Sequence, residues 1–288
     1  MRKLRLIAIA AFSLASLLLP CSAQKLVTPV SAIAGEDITI STTGTGKATF
    51  YLSGPGVANK RDVTLGDEIH LAGTDLKIAG AYVVILCADS CHGSTFYVKG
   101  SKPTSLALLV HPSRVPVAQS DAVSGVAIPF DRFRNMVLEP VQVNFQLTAA
   151  NSAPVSHQIR SQNGIAWFRT ASEKKAGKLQ ITATLDSVSS ARVLQQVASD
   201  PCNLRIKGQR TAKGIELETE PVKDCSGNPV PDGTIVTFNL SGENGKTTVD
   251  APIKQGIARA RIQAQGPQSV TVASGVVMGN ELRIGGQP

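Results

Sequence analysis

Residues 87–92, Cys-Ala-Asp-Ser-Cys-His, carry the residue types best suited to chemistry in this chain. Two cysteines followed by a histidine make up a c-type haem attachment site, but that motif places two residues between the cysteines and this one has three. The flanking segments, Tyr82–Leu86 and Ser94–Val98, are typical of strands, which predicts a hairpin and leaves no haem pocket. Zinc needs further ligands, and no second Cys or His pair has matching spacing. A disulfide is therefore favoured over haem or metal.

Four cysteines follow the first 23 residues, namely Cys87, Cys91, Cys202 and Cys225. An even number in an oxidising compartment favours disulfides, and four cysteines allow three connectivities. Antiparallel pairing of two predicted strands, Asn203–Ile206 and Gly214–Glu218, would bring Cys202 towards Cys225. We therefore expect near neighbours to pair, Cys87 with Cys91 and Cys202 with Cys225.

No pattern for catalysis or for a cofactor is found. The chain has no Gly-x-Ser-x-Gly nucleophile motif, and its glycine-rich segments, Gly44–Gly46 and Gly54–Gly56, lack the phosphate-loop motif and a following helix. Four isolated histidines fit no metalloprotease motif: His70, His92, His111 and His157. The acidic residues of the predicted turns are not clustered as calcium ligands, so turn capping is expected of them instead: Asp131, Glu139, Asp224 and Asp232. No catalytic, cofactor or metal residue is predicted, and the chain is not expected to be an enzyme.

The N-terminus has the pattern of a secretory signal peptide. Arg2, Lys3 and Arg5 precede an apolar run, Leu6–Leu19, which ends at the small residues 21–23. Such a signal directs the protein to the periplasm, the cell surface or the medium, and we expect its cleavage after Ala23. A lipoprotein acylated at Cys21 ranks second, because Pro20 fits a lipidation site poorly.

The composition of the mature chain limits its partners. Removing the leader leaves 26 basic and 21 acidic residues, so the net charge is about +5. These charges are scattered and are not interleaved with aromatic residues on one face, which argues against nucleic-acid binding. No later segment is long and apolar enough for a transmembrane helix. A protein or a glycan remains as the partner, and the oligomeric state is left open.

A repeat of about 93 residues sets the domain plan. Five landmarks, Asp131, Asn135, Val137, Val143 and Phe145, recur 93 residues later as Asp224, Asn228, Val230, Val236 and Phe238. Residues 164–166, Gly-Ile-Ala, recur 92 residues later at 256–258. So long a period indicates duplicated domains. Boundaries near residues 100–103 and 198–201 predict a signal peptide at 1–23 and three domains, at 24–101, 102–198 and 199–288.

The segments between the landmarks are predicted to be strands. Val143, Phe145 and Leu147 alternate with polar residues, as do Val236 and Phe238, and this period of two indicates one buried and one exposed face. Short strands separated by turn residues, with no helical pattern, predict an all-β protein of three tandem immunoglobulin-like antiparallel β-sandwiches.

Residues 222–238, Val-Lys-Asp-Cys-Ser-Gly-Asn-Pro-Val-Pro-Asp-Gly-Thr-Ile-Val-Thr-Phe, together with 256–258 and 269–272, resemble a bacterial immunoglobulin-like domain of the invasin/intimin type. The likeness covers residues 200–286 well and residues 102–198 less well, because Glu139-Pro140 replaces Asp232-Gly233. In that family such domains are commonly structural stalks or spacers of surface adhesins. The resemblance therefore implies an exported structural or adhesive module. An envelope glycan- or small-ligand-binding protein and an enzyme with an unrecognised site remain as alternatives.

One strand pair suggests a contact surface. Aligning the two Gly-Ile-Ala segments sets Trp167 against Arg259 and Arg169 against Arg261. In the last domain the alternating row of Ala258, Ala260 and Ile262 is apolar, so both arginines should face outward. The same register places Phe168 in the core and the only tryptophan, Trp167, outside beside Arg169, where both suit a binding surface. A slip of one residue would bury Trp167 instead.

Overall fold

The computed structural model describes residues 25–150, 152–243 and 245–285, so the predicted signal peptide and Cys21 lie outside the described residues. Within these ranges the regular structure consists of strands and one short 3-10 helix, Gly73–Asp75. None of the described segments forms a helix with the length and apolar character needed to cross a membrane. The described residues divide into two compact units, with the boundary between Lys99 and Gly100.

The N-terminal unit has two sheets around one core. Its strands are β1 Leu26–Val27, β2 Ser31–Ile33, β3 Ile38–Thr42, β4 Lys47–Gly54, β5 Val57–Thr64, β6 Glu68–Leu71, β7 Gly80–Cys87 and β8 Cys91–Lys99. The sheet orders are β1-β3-β6 and β2-β8-β7-β4-β5, in which β2 runs parallel to β8. Phe50, Tyr82 and Phe96 fill the core from the larger sheet, and Ile40 comes from the smaller one. The strands predicted at Tyr82–Leu86 and Ser94–Val98 are confirmed.

The predicted hairpin at the first cysteine pair is confirmed. Cys87 at the end of β7 stands opposite Cys91 at the start of β8, and the two form a disulfide. Because the bond joins facing residues of neighbouring strands, it closes the hairpin at its tip.

The C-terminal unit contains two hydrophobic cores. The first belongs to what we call the middle sandwich, which consists of β9 Ser105–His111, β10 Arg114–Pro116, β11 Val123–Phe130, β12 Gln142–Ala149, β13 Val155–Arg160, β14 Ala166–Thr170, β15 Gly177–Leu185 and β16 Val188–Val197. Its sheet orders are β14-β11-β9 and β10-β16-β15-β12-β13, in which β10 runs parallel to β16. Leu108 from one sheet and Phe145 from the other are fully buried between them.

The second core belongs to the last sandwich. Its strands are β17 Pro201–Cys202, β18 Ile206–Thr211, β19 Gly214–Thr219, β20 Lys223–Asp224, β21 Ile235–Gly242, β22 Gly245–Lys254, β23 Ile257–Ile262, β24 Gln268–Ser274 and β25 Val277–Ile284. The order β18-β19-β23-β22-β21-β24-β25 is continuous, and β17 pairs with β20 separately. Leu217 of β19 and Phe238 of β21 share one buried cluster. The division into three domains at 101/102 and 198/199 stays a prediction.

The second disulfide, Cys202–Cys225, forms as expected. The strand predicted at Asn203–Ile206, which was expected to position Cys202, was wrong. Asn203 has a φ of 57°, a left-handed conformation that interrupts a strand, and β18 begins only at Ile206. Cys202 instead belongs to β17, where it pairs with Lys223 of β20, two residues before Cys225. A local pairing therefore holds the two cysteines together.

The repeated aspartates confirm the predicted turn capping. Asp131 accepts hydrogen bonds from the backbone N–H groups of Phe133 and Asn135, both at 2.8 Å, and from the Asn135 side chain at 2.9 Å. The oxygen that accepts the Asn135 side chain, Oδ2, also accepts the N–H of Ser101 at 2.9 Å. The Asp131 carboxylate thus closes its own turn and also holds the segment that leads into the middle sandwich.

Asp224 repeats these contacts 93 residues later. It accepts the N–H groups of Ser226 at 2.9 Å and Asn228 at 2.8 Å, the Asn228 side chain, and the N–H of Ser199 at 3.1 Å. Asn228 also reaches the middle sandwich: its Nδ2 donates to the Lys174 carbonyl at 2.8 Å, and its Oδ1 accepts the Ala176 N–H at 2.9 Å. This turn therefore joins the two sandwiches of the C-terminal unit. Asp232 caps another turn, that of the β22–β23 hairpin, through the N–H groups of Gln255 and Gly256.

Replacing Cys202 and Cys225 by serine should lower the free energy of unfolding of the last sandwich by about 3 kcal/mol. The disulfide closes a loop with a sequence separation of 23 and so reduces the entropy of the unfolded chain. Urea unfolding of the oxidised mature chain and of the double variant measures the difference. An unchanged midpoint would contradict the expectation.

Asp224→Asn should destabilise the last sandwich by about 1–3 kcal/mol at neutral pH, because it weakens several charge-assisted hydrogen bonds. Burial raises the pKa of Asp224, but the bonds from the Asn228 side chain and from the N–H groups of Asn228, Ser199 and Ser226 outweigh it and leave the pKa below its ordinary value. A lowered folded-state pKa stabilises the fold above the unfolded value of about 3.9, and this contribution is lost as the pH falls through the folded value.

Unfolding by urea between pH 7 and pH 2 tests this expectation. The wild type should lose stability below about pH 4, and Asp224→Asn should lose less over the same interval. Asp89→Asn, at an exposed position, is the control and should follow the wild type. Identical pH profiles for Asp224→Asn and the wild type would rule out this role for the carboxylate.

Candidate interaction face

Strand β14 places its side chains alternately in the core and in solvent. Ala166 and Phe168 are 1% and 5% exposed, whereas Trp167 is 62% exposed and Arg169 lies on the same outer side. The outward orientation expected for Trp167 and Arg169 is confirmed. Their part in binding stays a prediction.

The packing of Phe168 fixes this orientation. Its ring centroid lies 4.8 Å from that of Phe145 and 5.8 Å from that of His157. The ring also covers Gly125 of β11, the residue paired with Phe168, and a Cβ there would stand 2.3 Å from Phe168 Cε1. Only glycine leaves room for the ring at this position. The aromatic contacts on one side of β14 therefore hold Trp167 on the other.

Three neighbouring strands complete the outer surface, which we call the Trp167 face: the outward residues of β9, β11 and β14, with Ile165 just before β14. Its central row is apolar, since Val126 pairs with both Leu109 and Trp167. Leu109 is 60% exposed. The next row is polar and consists of His111, Ser124 and Arg169. On the side of the central row away from Arg169, Ile128 pairs with Ala107, and Ile165 is 39% exposed. The tryptophan thus lies within a continuous apolar strip bordered by one cationic side chain.

The corresponding face of the last sandwich is charged. We call the outward residues of β18, β19 and β23 the ladder face, and its two rows are Lys207-Glu218-Arg259 and Gln209-Glu216-Arg261. Arg261 lies 2.8 Å from Glu216, Arg259 lies 3.3 Å from Glu218, and Lys207 lies 3.6 Å from Glu218. Arg259 and Arg261 face outward as expected. Each arginine already has a carboxylate partner, which was not expected.

The registers of the two faces correspond position by position. Val126 pairs with Trp167 as Glu218 pairs with Arg259, and Ser124 pairs with Arg169 as Glu216 pairs with Arg261. The middle sandwich therefore has serine and valine where the last one has glutamates. Arg169 accordingly forms no ion pair among the described residues. The candidate residues lie in different sheets, so Trp167 and Arg169 form one surface and Arg259 and Arg261 another.

The larger sheet of the N-terminal unit carries a second exposed apolar surface, which the sequence analysis did not identify. Val83 and Ile85 of β7 are 39% and 37% exposed, and Tyr97 of β8 is 58% exposed. Tyr51 of β4 lies beside Ile85, with Lys60 Nζ 5.7 Å from its ring centroid. The available signal was the run Tyr82–Leu86, in which every residue is apolar, so that neither face of the strand is polar.

Comparison with solved structures identifies proteins of the same fold. FdeC, an Escherichia coli adhesin, superposes with a TM-score of 0.65 at 18% identity over 92% of this chain and 97% of its own. Invasin, a bacterial integrin-binding protein, gives 0.51 at 12% identity, and the match spans 92% of this chain but only 60% of invasin. InvD of Yersinia pseudotuberculosis gives 0.50 at 11% identity over 91% of this chain and 96% of its own.

These likenesses confirm the predicted immunoglobulin-like β-sandwich fold and, at the level of the fold, the resemblance to invasin/intimin-type domains. No protein-family model and no curated protein matches the sequence. The identities are too low to carry a function across from the fold alone.

Trp167→Ala should change the free energy of unfolding by less than about 1 kcal/mol, because its side chain is mostly in solvent. Phe168→Ala, one residue away, should cost about 3–5 kcal/mol, because it empties a buried aromatic site. Chemical denaturation of both variants measures the contrast. A loss of several kcal/mol for Trp167→Ala would place its side chain in the core and eliminate the Trp167 face as a binding surface.

Proposed function

We propose that this chain is an exported adhesive module that acts by binding a partner through the Trp167 face and not by catalysis. The observation that carries the proposal is the apolar row of Leu109, Val126 and Trp167 on the outside of a sheet. A contiguous apolar patch on the surface marks an interaction site, and tryptophan and arginine are enriched where proteins bind.

Two further observations support an adhesive role outside the cytoplasm. The leader at residues 1–23 has the pattern of an export signal. Two proteins that share the fold are an adhesin and an integrin-binding protein, and adhesion by this chain would use the same architecture. The packing of Phe168 in the core of the middle sandwich already turns Trp167 outward, so the strand need not rearrange for the face to bind.

Adhesion of coated beads tests the proposal. Fluorescent beads carrying the mature chain, residues 24–288, are washed over human epithelial monolayers and, separately, over whole cells of the producing bacterium. Trp167→Ala should weaken attachment about 30-fold, which corresponds to the loss of about 2 kcal/mol typical of a hot-spot residue. Val193→Ala, at a residue 57% exposed on the other sheet of the same sandwich, should attach like the wild type.

Three results would reject the proposal: attachment of Trp167→Ala beads equal to that of the wild type, attachment of neither to any surface, or turnover of a hydrolase substrate by the mature chain. Attachment to the monolayer alone assigns a host surface, and attachment to the bacteria alone assigns an envelope partner.

A further inference from the structure

We infer that the partner of the Trp167 face is a protein surface that presents a carboxylate next to an apolar side chain. The carboxylate of the partner would then give Arg169 the negative charge that Glu216 gives Arg261 within the ladder face. This inference rests on the proposed function of the Trp167 face and adds the chemistry of what binds there.

The ladder face shows how this scaffold neutralises its own arginines. Arg261 of β23 pairs with Glu216 of β19 at 2.8 Å across one strand spacing. Arg169 of β14 occupies the same place beside Ser124 of β11. The serine Oγ donates to the His111 carbonyl, at 3.2 Å, and offers no charge to the guanidinium. A carboxylate of the partner placed above Ser124 would make the contact that Arg261 makes internally.

Charge on the Trp167 face has one sign. Its outward residues on the three strands are Ser105, Ala107, Leu109, His111, Ser124, Val126, Ile128, Phe130, Trp167 and Arg169. None of these is acidic, and the ionisable ones are Arg169 and His111. An acidic partner therefore meets no like charge on this surface, whereas a basic partner meets Arg169 without compensation.

The remaining surface favours a protein over a glycan. The central row offers aliphatic and aromatic carbon from Leu109, Val126 and Trp167, and Ile165 extends it. A sugar ring can stack its C–H face on the Trp167 indole, but Leu109 and Val126 offer only aliphatic carbon. Sugar hydroxyl groups held over these two residues lose hydrogen bonds to water, and each unsatisfied group costs affinity. Apolar side chains of a protein have no hydrogen bonds to lose there. Arginine then pairs with a partner carboxylate at the polar edge of the contact.

The size of the face sets how strong the contact can be. Three strands spaced about 4.8 Å apart, with about six residues each rising 3.4 Å, make a surface of about 15 by 20 Å. A standard interface buries about 800 Å² on each side, so the Trp167 face makes up less than half of one. It serves as the centre of a contact, and single peptides that bind there should do so weakly.

A displayed library of random 12-residue peptides is the first test. Phage are selected on the mature chain and counter-selected on Trp167→Ala, so that the retained clones require the tryptophan. We expect an Asp or Glu within three residues of a large apolar residue at more than three times its frequency in the unselected library. We expect synthetic versions of these peptides to bind Arg169→Gln at least tenfold more weakly. Retained clones without this enrichment, binding unaffected by Arg169→Gln, or no tryptophan-dependent clone would overturn the inference.

The bead assay provides the second test and separates the two proposals. Ser124→Glu places a carboxylate where Glu216 stands in the ladder face and should reduce attachment at least tenfold, as should Arg169→Gln. Ser189→Glu and Arg192→Gln, both at exposed positions on the other sheet, are the matched controls and should attach like the wild type. Trypsin treatment of the target surface should abolish attachment, and periodate oxidation of its glycans should not.

Attachment that needs Trp167 but survives both Ser124→Glu and Arg169→Gln overturns the acidic partner and leaves the proposed adhesive function intact. Attachment abolished by periodate but not by trypsin assigns a glycan and overturns the protein partner. Attachment that does not need Trp167 rejects the proposed site and, with it, the inference that rests on that site.

Discussion

The contact between Phe168 and Gly125 is the constraint on which the functional interpretation depends. A strand has two faces, and a shift of one residue would exchange Phe168 with Trp167. The absence of a Cβ at Gly125 makes room for one aromatic ring in the core, and Phe145 and His157 surround that ring from the opposite sheet. The outward orientation of the tryptophan is therefore a consequence of how its neighbour packs in the core.

Most of the fold could be predicted because its signals are local or periodic. The alternation around Val143 and Phe145 indicated a strand with one buried face, and the displacement of 93 residues indicated duplicated domains with a corresponding turn in each. The structure places both Asp131 and Asp224 as caps of that turn. Asn203–Ile206 was misassigned because its alternation suits a strand. The backbone at Asn203 is left-handed instead, with a φ of 57°, and the preceding residue, Cys202, pairs with Lys223.

What could not be predicted concerns which strands become neighbours. Arg259 and Arg261 were expected to face outward, and they do, but their partners Glu216 and Glu218 lie more than 40 residues away in sequence. Nothing in the local pattern of β19 states that it will lie beside β23. The same limit applies to Gly125, which reads as an ordinary strand residue until the ring of Phe168 is placed over it. The correspondence between the two sandwiches allows their outer faces to be compared position by position, and this comparison shows that, among the described residues, Arg169 lacks the carboxylate that Arg261 has.

The second disulfide has a mechanical consequence. If a chain of this kind is anchored at one end and its partner pulls at the other, tension enters the last sandwich at Cys202 and crosses the covalent bond to Cys225. The residues between them, including β18 and β19, lie outside the covalent path of the load, although they share a core with the strands that follow Cys225. The middle sandwich has no such bypass. Its parallel pair β10 and β16 would be drawn in opposite directions along their length, so that their hydrogen bonds resist together in shear and do not open one at a time.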